Sequence, residues 1–587
     1  MRVNSIGPAA VVAALGVVAT PSLAWARSPV VIEGVDHDMR DAIMALLPDR
    51  DPPTSLFDAE RISEEAAARA TAYLRSEGYY AAEVATDATE TPPSARLVIT
   101  LGERFTFSNP QIVFDGDAPD ASAINAAHAA LNHVSTNAPA RAADVLEAEG
   151  AALLALQNLG YADAVAGERR VVVDHATGRV NVEYHLNAGT LAHLGRVLAQ
   201  PNTLFRAHFV SSLQNWEDGA VYRPSSITRL RRDIVSTGAV SVATTHLAPP
   251  SADGTRDVII DVEPAHRNAY ELGFSYSTTD GAGVEGEWTR RNLTGHADSL
   301  TLNATVAEMQ QSLGIEWAQP HAAGLGHTVR YGATVGREDL DAYTHDSVAL
   351  YASVDAMPRI RLGRSYGARL SVDHYDNLAG GVQDAIVLSG FGDLRNDSTE
   401  ASLDPRDGSI VDLRIEPSVS TGDETLGFVR GIADARIYES FGDHDAITLA
   451  ARIKAGWLEA LAGDPNDVPA DRRFYAGGGG SVRGYTYNSI YPHERDALGL
   501  APGGQGLVEG SVEARWRFSP HWGAAAFVDG GSAFDNWSDA GDVRWGVGAG
   551  IRYDLGFAPL RFDIAVPLDR DEAKDDFALY ISLGQAF

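Results

Sequence analysis

The sequence contains no cysteine. That absence removes disulfides, thiolate zinc sites, iron–sulfur clusters and cysteine nucleophiles together, and it suits a chain that must cross an oxidising compartment unfolded. Positive charge is also scarce: 47 Lys and Arg stand against 79 Asp and Glu, a net charge of -32. Such a chain is repelled by nucleic acid, and no basic patch offsets the balance. Beyond the N-terminus no stretch reaches the ~18 apolar residues of a spanning helix. Neither His-Glu-x-x-His nor Gly-x-Ser-x-Gly occurs, so no catalytic constellation, cofactor or metal is expected. What remains, 45% hydrophobic and 21% charged residues, is the composition of folded protein.

The N-terminus carries an export pattern. Arg2 supplies a positive n-region, Ala9 to Val18 an apolar h-region, and Ala24-Trp25-Ala26 an A-x-A cleavage site. Residues 1–26 read as a signal peptide, too short and wrongly flanked for a membrane anchor. The mature chain is then either soluble outside the inner membrane or a membrane-spanning barrel.

From residue 28 to about 265, one order of elements recurs: an opening strand such as Val30 to Val35, helices, a glycine stop and two strands. In the first copy Ile62, Ala66, Ala70, Tyr73 and Leu74 share a helical face that ends at Gly78. In the second, Leu153, Leu154 and Leu156 precede Gly160; in the third, Ile227, Leu230 and Ile234 precede Gly238. These glycines lie about 80 residues apart. Apolar strands follow at Arg96 to Thr100, Val180 to Tyr184 and Asp257 to Val262. Three small α+β units are predicted, over 27–104, 105–189 and 190–266.

From 267 to 587 the period changes to two. Val508, Gly510, Val512, Ala514 and Trp516 alternate with Glu509, Ser511, Glu513, Arg515 and Arg517. Leu560, Phe562, Ile564 and Val566 alternate with Arg561 and Asp563. In the last segment, Phe577, Leu579, Ile581, Leu583 and Phe587 share one face. Segments of about ten residues, charged on one face and apolar on the other, exceed the usual strand of a soluble sandwich. They match a closed barrel with lipid outside and water inside. About sixteen are counted, least clearly marked between Glu338 and Gly390. The predicted fold is therefore three α+β repeats followed by an all-β, 16-stranded transmembrane β-barrel.

The longest connection in this half, about Ala460 to Gln505, holds Gly477 to Gly480 and then Val482-Arg483-Gly484-Tyr485. It is neither a P-loop nor a dinucleotide fingerprint: Tyr485 stands where Lys is needed, Arg483 where the third glycine is needed, and strands lie on both sides. Aromatic residues give it material to pack. An arginine inserted in a lumen needs a carboxylate. Asp529, in Phe527-Val528-Asp529-Gly530-Gly531, shares the face opposite Trp522 and Val528, and Glu513 is a second candidate. The acidic clusters Asp36-His37-Asp38 and Asp464 to Asp471 read as solvated loops rather than calcium sites, and His321 and His327 as solvated turn residues.

Val482-Arg483-Gly484-Tyr485 resembles the arginine motif of the sixth extracellular loop in the outer-membrane protein assembly factors, the BamA/TamA superfamily. Phe527 to Gly531 resembles the inner-wall partner strand of that family, and Arg291-Asn292-Leu293 with Gly295 another of its signatures. The three repeats resemble POTRA domains, with Ala239 departing from the aromatic that follows the glycine in the other two copies. Three repeats and sixteen strands place the resemblance nearest the TamA branch. It implies a non-enzymatic factor in the outer membrane, with periplasmic N-terminal domains, that inserts β-barrel proteins including autotransporters. Implied partners are unfolded outer-membrane protein clients, outer-membrane lipid and a TamB-like periplasm-spanning protein. It also implies a seam between a first strand (Glu271 to Ser277) and a last strand (Phe577 to Phe587), with Gly584 as a kink. A porin, a lipid conduit or a dedicated polypeptide secretion pore are the alternatives.

Overall fold

The computed structural model describes residues 29–587 except 201–203, 341, 357–360, 377–382, 401–402, 423–424, 443–444, 493–502, 557 and 570–575. The predicted export segment 1–26, with residues 27 and 28, lies outside the described residues. The chain divides into two compact units, one ending at His193 and taking in Val221–Pro224, the other holding Leu194–Ala220 and Ser225–Phe587.

The first unit holds two α/β modules. In the first, β1 (Val30–Glu33), α1 (His37–Ala45), α2 (Leu56–Ser76), β2 (Glu83–Glu90) and β3 (Pro93–Thr100) follow in order. β3 is central, parallel to β1 and antiparallel to β2. The Ser55 hydroxyl caps α2 by accepting the Asp58 N–H, and Ala59, Ile62, Ala66, Ala70 and Leu74 form its buried stripe. That stripe covers Ala95, Leu97 and Ile99 of β3. Asp36 is no isolated loop acid, since it accepts the Met39 N–H and caps α1.

The second module runs β4 (Thr106–Phe107), β5 (Gln111–Phe114), α3 (Ala121–Ala129), α4 (Ala142–Asn158), β6 (Val165–Ala166), β7 (Arg170–Asp174) and β8 (Arg179–Asn187), with β8 central to the sheet. Its long helix buries Val145, Ala148, Ala152 and Leu156. Leu154, expected on the apolar stripe, is exposed. Small alanines carry this face because the helix packs closely on the sheet.

The second unit opens with a third module of β9 (His193–Ala199), α5 (Ala207–Ser212), β10 (Ala220–Val221), α6 (Pro224–Val235), β11 (Val240–Leu247) and β12 (Thr255–Pro264). Its sheet order is β10-β9-β12-β11, and α6 buries Leu230 and Ile234. Sixteen strands then close into one barrel, β13 (Asn268–Ser277) to β28 (Ala578–Leu583), each antiparallel to the next. The face rule holds along them. Val512, Trp516 and Ile564 are exposed outside, while Glu513, Arg515 and Asp563 are buried inside.

The wall is uneven. β22 (Thr425–Phe441) has 17 residues, whereas β28 has 6, fewer than the ~9–11 that a tilted strand needs to cross hydrocarbon. β13 and β28 pair only through Ser275↔Ser582, Tyr276↔Ile581 and Ser277↔Tyr580. On that edge Asn268 to Phe274 has no strand partner among the described residues, although the same residues pair fully with β14 (Gly281–Arg291).

The first strand is thus longer than the Glu271–Ser277 span, and the last one shorter than Phe577–Phe587. Gly584 has φ +87° and ends β28 rather than kinking it. This left-handed turn favours glycine and swings the chain off the sheet. Gln585 N then donates to Leu403 O (3.1 Å). Arg515 Nη2 donates to Phe587 O (3.0 Å), and the Phe587 ring packs beside Ile410, Tyr438 and Ala450. Phe587 therefore lies against the inner wall, not on the lipid face with Leu579.

Amide exchange should reveal this asymmetry. The N–H groups of β13 that point toward β28 between 268 and 274 are expected to exchange much faster than those pointing toward β14. Equal protection on both edges, measured by hydrogen–deuterium NMR in detergent, would contradict the open ladder.

Candidate functional site: a loop arginine against the barrel wall

The described part of the connection between Ala462 and Gly506 doubles back on itself. Ala476 exchanges backbone bonds with Ile490 (3.0 and 2.9 Å) and Phe474 with Gly504 (2.9 and 2.8 Å). Phe474, Tyr475, Val482, Tyr485 and Ile490 join inner-wall residues Leu426, Phe428, Leu458 and Leu507 in one apolar cluster. The glycine run turns the chain tightly, with Gly478 N donating to Tyr485 O (3.1 Å) and Ser481 N to Gly478 O (3.1 Å). Gly484 has φ +105°, and a Cβ there would stand 3.0 Å from Pro567 N. Any larger residue would meet both backbone strain and the wall.

This turn delivers Arg483 into a pocket of carboxylates. Nε donates to Asp529 Oδ2 (2.7 Å) and Nη2 to Asp529 Oδ1 (2.9 Å), a bidentate fork. Nη1 reaches Glu513 Oε2 (2.7 Å) and Asp563 Oδ2 (3.4 Å). The guanidinium carbon lies 3.3 Å from the centroid of the Phe527 ring. Arg483 is 2% exposed and Asp529 and Glu513 are 0%. Arg515 bonds Glu513 Oε1 (2.9 Å), Arg552 pairs with Asp563, and the Ser511 hydroxyl donates to Asp529. The cluster thus joins the loop to inner-wall residues of three strands. Among the described residues no group of His, Asp and Glu could hold a metal ion.

The same turn touches both sides of the seam. Gly484 N donates to the Tyr580 hydroxyl of β28 (2.9 Å), and Gly479 N donates to Asp280 Oδ2, just beyond β13 (3.2 Å). Val482 is fully buried, and the Tyr485 hydroxyl donates to Trp545 O (3.3 Å). Gly584 and Phe587, expected at the seam, lie beyond its three paired positions.

Arg291 to Gly295 forms a second site, where the third module meets the barrel. Asn292 Nδ2 donates to Leu204 O (3.1 Å), and its Oδ1 accepts Ala297 N (3.1 Å). Arg206 N donates to Gly295 O (2.9 Å) and Arg206 Nε to Thr294 O (2.9 Å). His321 is not a solvated turn residue. It is buried, its Nε2 lies 3.0 Å from Asp233 O, and its Nδ1 accepts Gly326 N (3.0 Å). Burial, against the pull of the Asp233 carbonyl, lowers its pKa below the ordinary histidine value. His327 is half-buried, with Nδ1 unpartnered among the described residues. Nor is Asp471 a solvated acid, since the Tyr375 hydroxyl (2.5 Å) and Arg472 (3.2 Å) enclose it.

The sequence profile of the Omp85 superfamily domain matches residues 292–587, just over half of the chain. The chain belongs to the Omp85 superfamily. An outer membrane protein assembly factor BamA from Nitratidesulfovibrio vulgaris is 24% identical over 551 residues, 90% of this chain and 68% of that one. The crystal structure of Haemophilus ducreyi BamA lacking POTRA domains 1–3 superposes with a TM-score of 0.67 at 16% identity, covering 82% of this chain and 100% of that one. The shared fold is thus an Omp85 barrel with α/β modules before it.

Sequence reasoning placed Arg515, Arg561 and Asp563 on inner faces without joining them to Arg483, and it missed Phe527 and Tyr580 as contacts. Alternation assigns a face but no height. Which inner residues share a level depends on strand stagger, which only the closed sheet defines.

Arg483→Ala should destabilise the barrel by about 3–5 kcal/mol, because it strands buried carboxylates; Arg483→Lys should recover only part, lacking the fork. Thermal unfolding in detergent measures both, and wild-type midpoints would refute the pairing. A second outcome concerns pH. Because the folded-state pKa of His321 is depressed, its contribution to module docking is full above about pH 6.5 and lost as pH falls through the lowered value. Limited proteolysis between the third module and β13 should accelerate on acidification, and His321→Gln should flatten that response.

Proposed function

We propose that this protein inserts other β-barrel proteins, autotransporters among them, into the outer membrane, acting without catalysis and nearest in kind to TamA. Its barrel lies in the outer membrane and its N-terminal modules in the periplasm. The three modules serve as POTRA domains that receive unfolded clients and a TamB-like periplasm-spanning partner.

The observation that carries this reading is the seam. Lipid offers no partner for backbone N–H and C=O groups, each of which costs several kcal/mol if left unsatisfied. A client strand therefore needs an edge to pair with before it meets hydrocarbon. The β13 edge from Asn268 to Phe274 is such a template, held beside a ladder of three residue pairs. The loop carrying Arg483 ties β28 to the Asp280 turn, so pinning that loop also sets how readily the seam parts. A passive porin or lipid conduit is less well supported, because the inserted loop packs an apolar cluster across the inner wall.

A cysteine pair tests this directly, since the chain has no other cysteine. Ser275→Cys with Ser582→Cys sits at register partners, a spacing that disulfides bridge. Oxidation should block surface display of autotransporter clients, and reduction should restore it. Unchanged client assembly with the bridge formed would remove seam templating. A census of outer-membrane proteins after deletion of the gene separates assembly from passive transport, which would leave that census intact.

A further inference from the structure

The lumen contains a cavity of about 490 Å3 between the wall and the inserted loop. Its lining reverses the charge of the molecule. Arg337, Arg369, Arg430, Lys454, Arg472 and Arg473 face it, against the carboxylates Glu338 and Asp471, in a chain of net charge -32. Half of these cations are neutralised: Arg337 by Asp346 (3.3 Å), Lys454 by Glu509 (3.4 Å), and Arg472 by Glu416 (3.4 Å) and Asp471 (3.2 Å).

The other three are not. Arg369 and Arg430 each keep a buried Nε with no hydrogen-bond partner among the described residues. Arg430 is stacked on Phe474, its guanidinium carbon 4.8 Å from the ring centroid, which fixes its plane. Among the described residues Arg473 is held by backbone oxygens, Val468 O at 3.0 Å, Pro465 O at 3.3 Å and Gly503 O at 3.5 Å, together with Asn466 O. Three partly buried guanidiniums with no ion-paired carboxylate among the described residues gather around one cavity, where an anion would offset their desolvation. Their planar donor forks match tetrahedral oxyanions.

We propose that this cavity binds a phosphate-bearing anion, with Arg369 and Arg430 as its principal donors and Arg473 supplying charge from the loop. The volume lies within the range of small-molecule sites and accommodates a phosphorylated sugar headgroup as well as a free phosphate. Because Arg472 and Arg473 belong to the inserted loop, occupancy also clamps that loop to β19 (Leu362–Asp376) and β22.

The test is calorimetric titration of inorganic pyrophosphate into the full-length protein in zwitterionic detergent. Saturable binding is expected. Arg369→Gln with Arg430→Gln should weaken it at least tenfold, and Arg369→Gln alone, which leaves no protein group unpaired, at least threefold. Both variants should keep the heat-modifiable migration of a folded barrel. Repeating the titration in nanodiscs with a phosphorylated glycolipid, or with the same lipid dephosphorylated, separates the sources. Competition by the phosphorylated form alone supports the proposal with a lipid headgroup as ligand, and no competition supports it with a soluble anion. Absent saturable binding, equal binding by Arg369→Gln, or preference for a glutamate-rich peptide over pyrophosphate would overturn it.

Discussion

Hydrocarbon supplies no partner for a peptide N–H or C=O, and the C-terminal half of this protein is arranged around that fact. Sixteen strands close on themselves, and every ladder but one has at least six residue pairs. The exception is the seam, where three residue pairs join β13 to β28. An open edge in such a sheet is unfavourable, and for the same reason it is the place where an incoming strand gains most. The short β28, ended by the left-handed Gly584, is what leaves that ladder short.

The arginine cluster answers a separate requirement created by the wall. Glu513, Asp529 and Asp563 face inward within reach of one guanidinium. Left alone they would repel one another in a place with little water. Arg515 and Arg552 supply part of the compensation from neighbouring strands. The remainder comes from the loop, whose insertion is thereby tied to the electrostatic neutrality of the wall. Buried ion pairs are poor sources of net stability but strong sources of uniqueness where the geometry is good. The fork to Asp529 and the stack on Phe527 provide that geometry. The same loop is bonded to the Tyr580 hydroxyl of β28 and to Asp280 just beyond β13, so the charged contact and the short ladder share one loop.

The third module is coupled to the barrel by a different chemistry. Asn292, Arg206 and His321 join backbone carbonyls across short turns. These bonds are neutral or carried by single donors, and they hold a module against a rim rather than a loop inside a wall. A histidine satisfied at both nitrogens makes this joint sensitive to acid.

Much of this was determined by the sequence alone. The change of period near residue 267, the number of strands, the inner face of Glu513 and Asp529 and the candidacy of Arg483 all follow from local alternation, which the pleat imposes on any strand. Tertiary structure decided what alternation cannot express. It set the level at which Asp563, Arg515 and Arg552 meet Arg483, because stagger around a closed sheet is a property of all sixteen strands at once. It turned Phe587 inward, because one positive φ at Gly584 outweighs a periodic pattern. It also buried His321 and gathered Arg369, Arg430 and Arg473 around a cavity, because they come from turns, strands and a loop whose approach no spacing along the chain encodes.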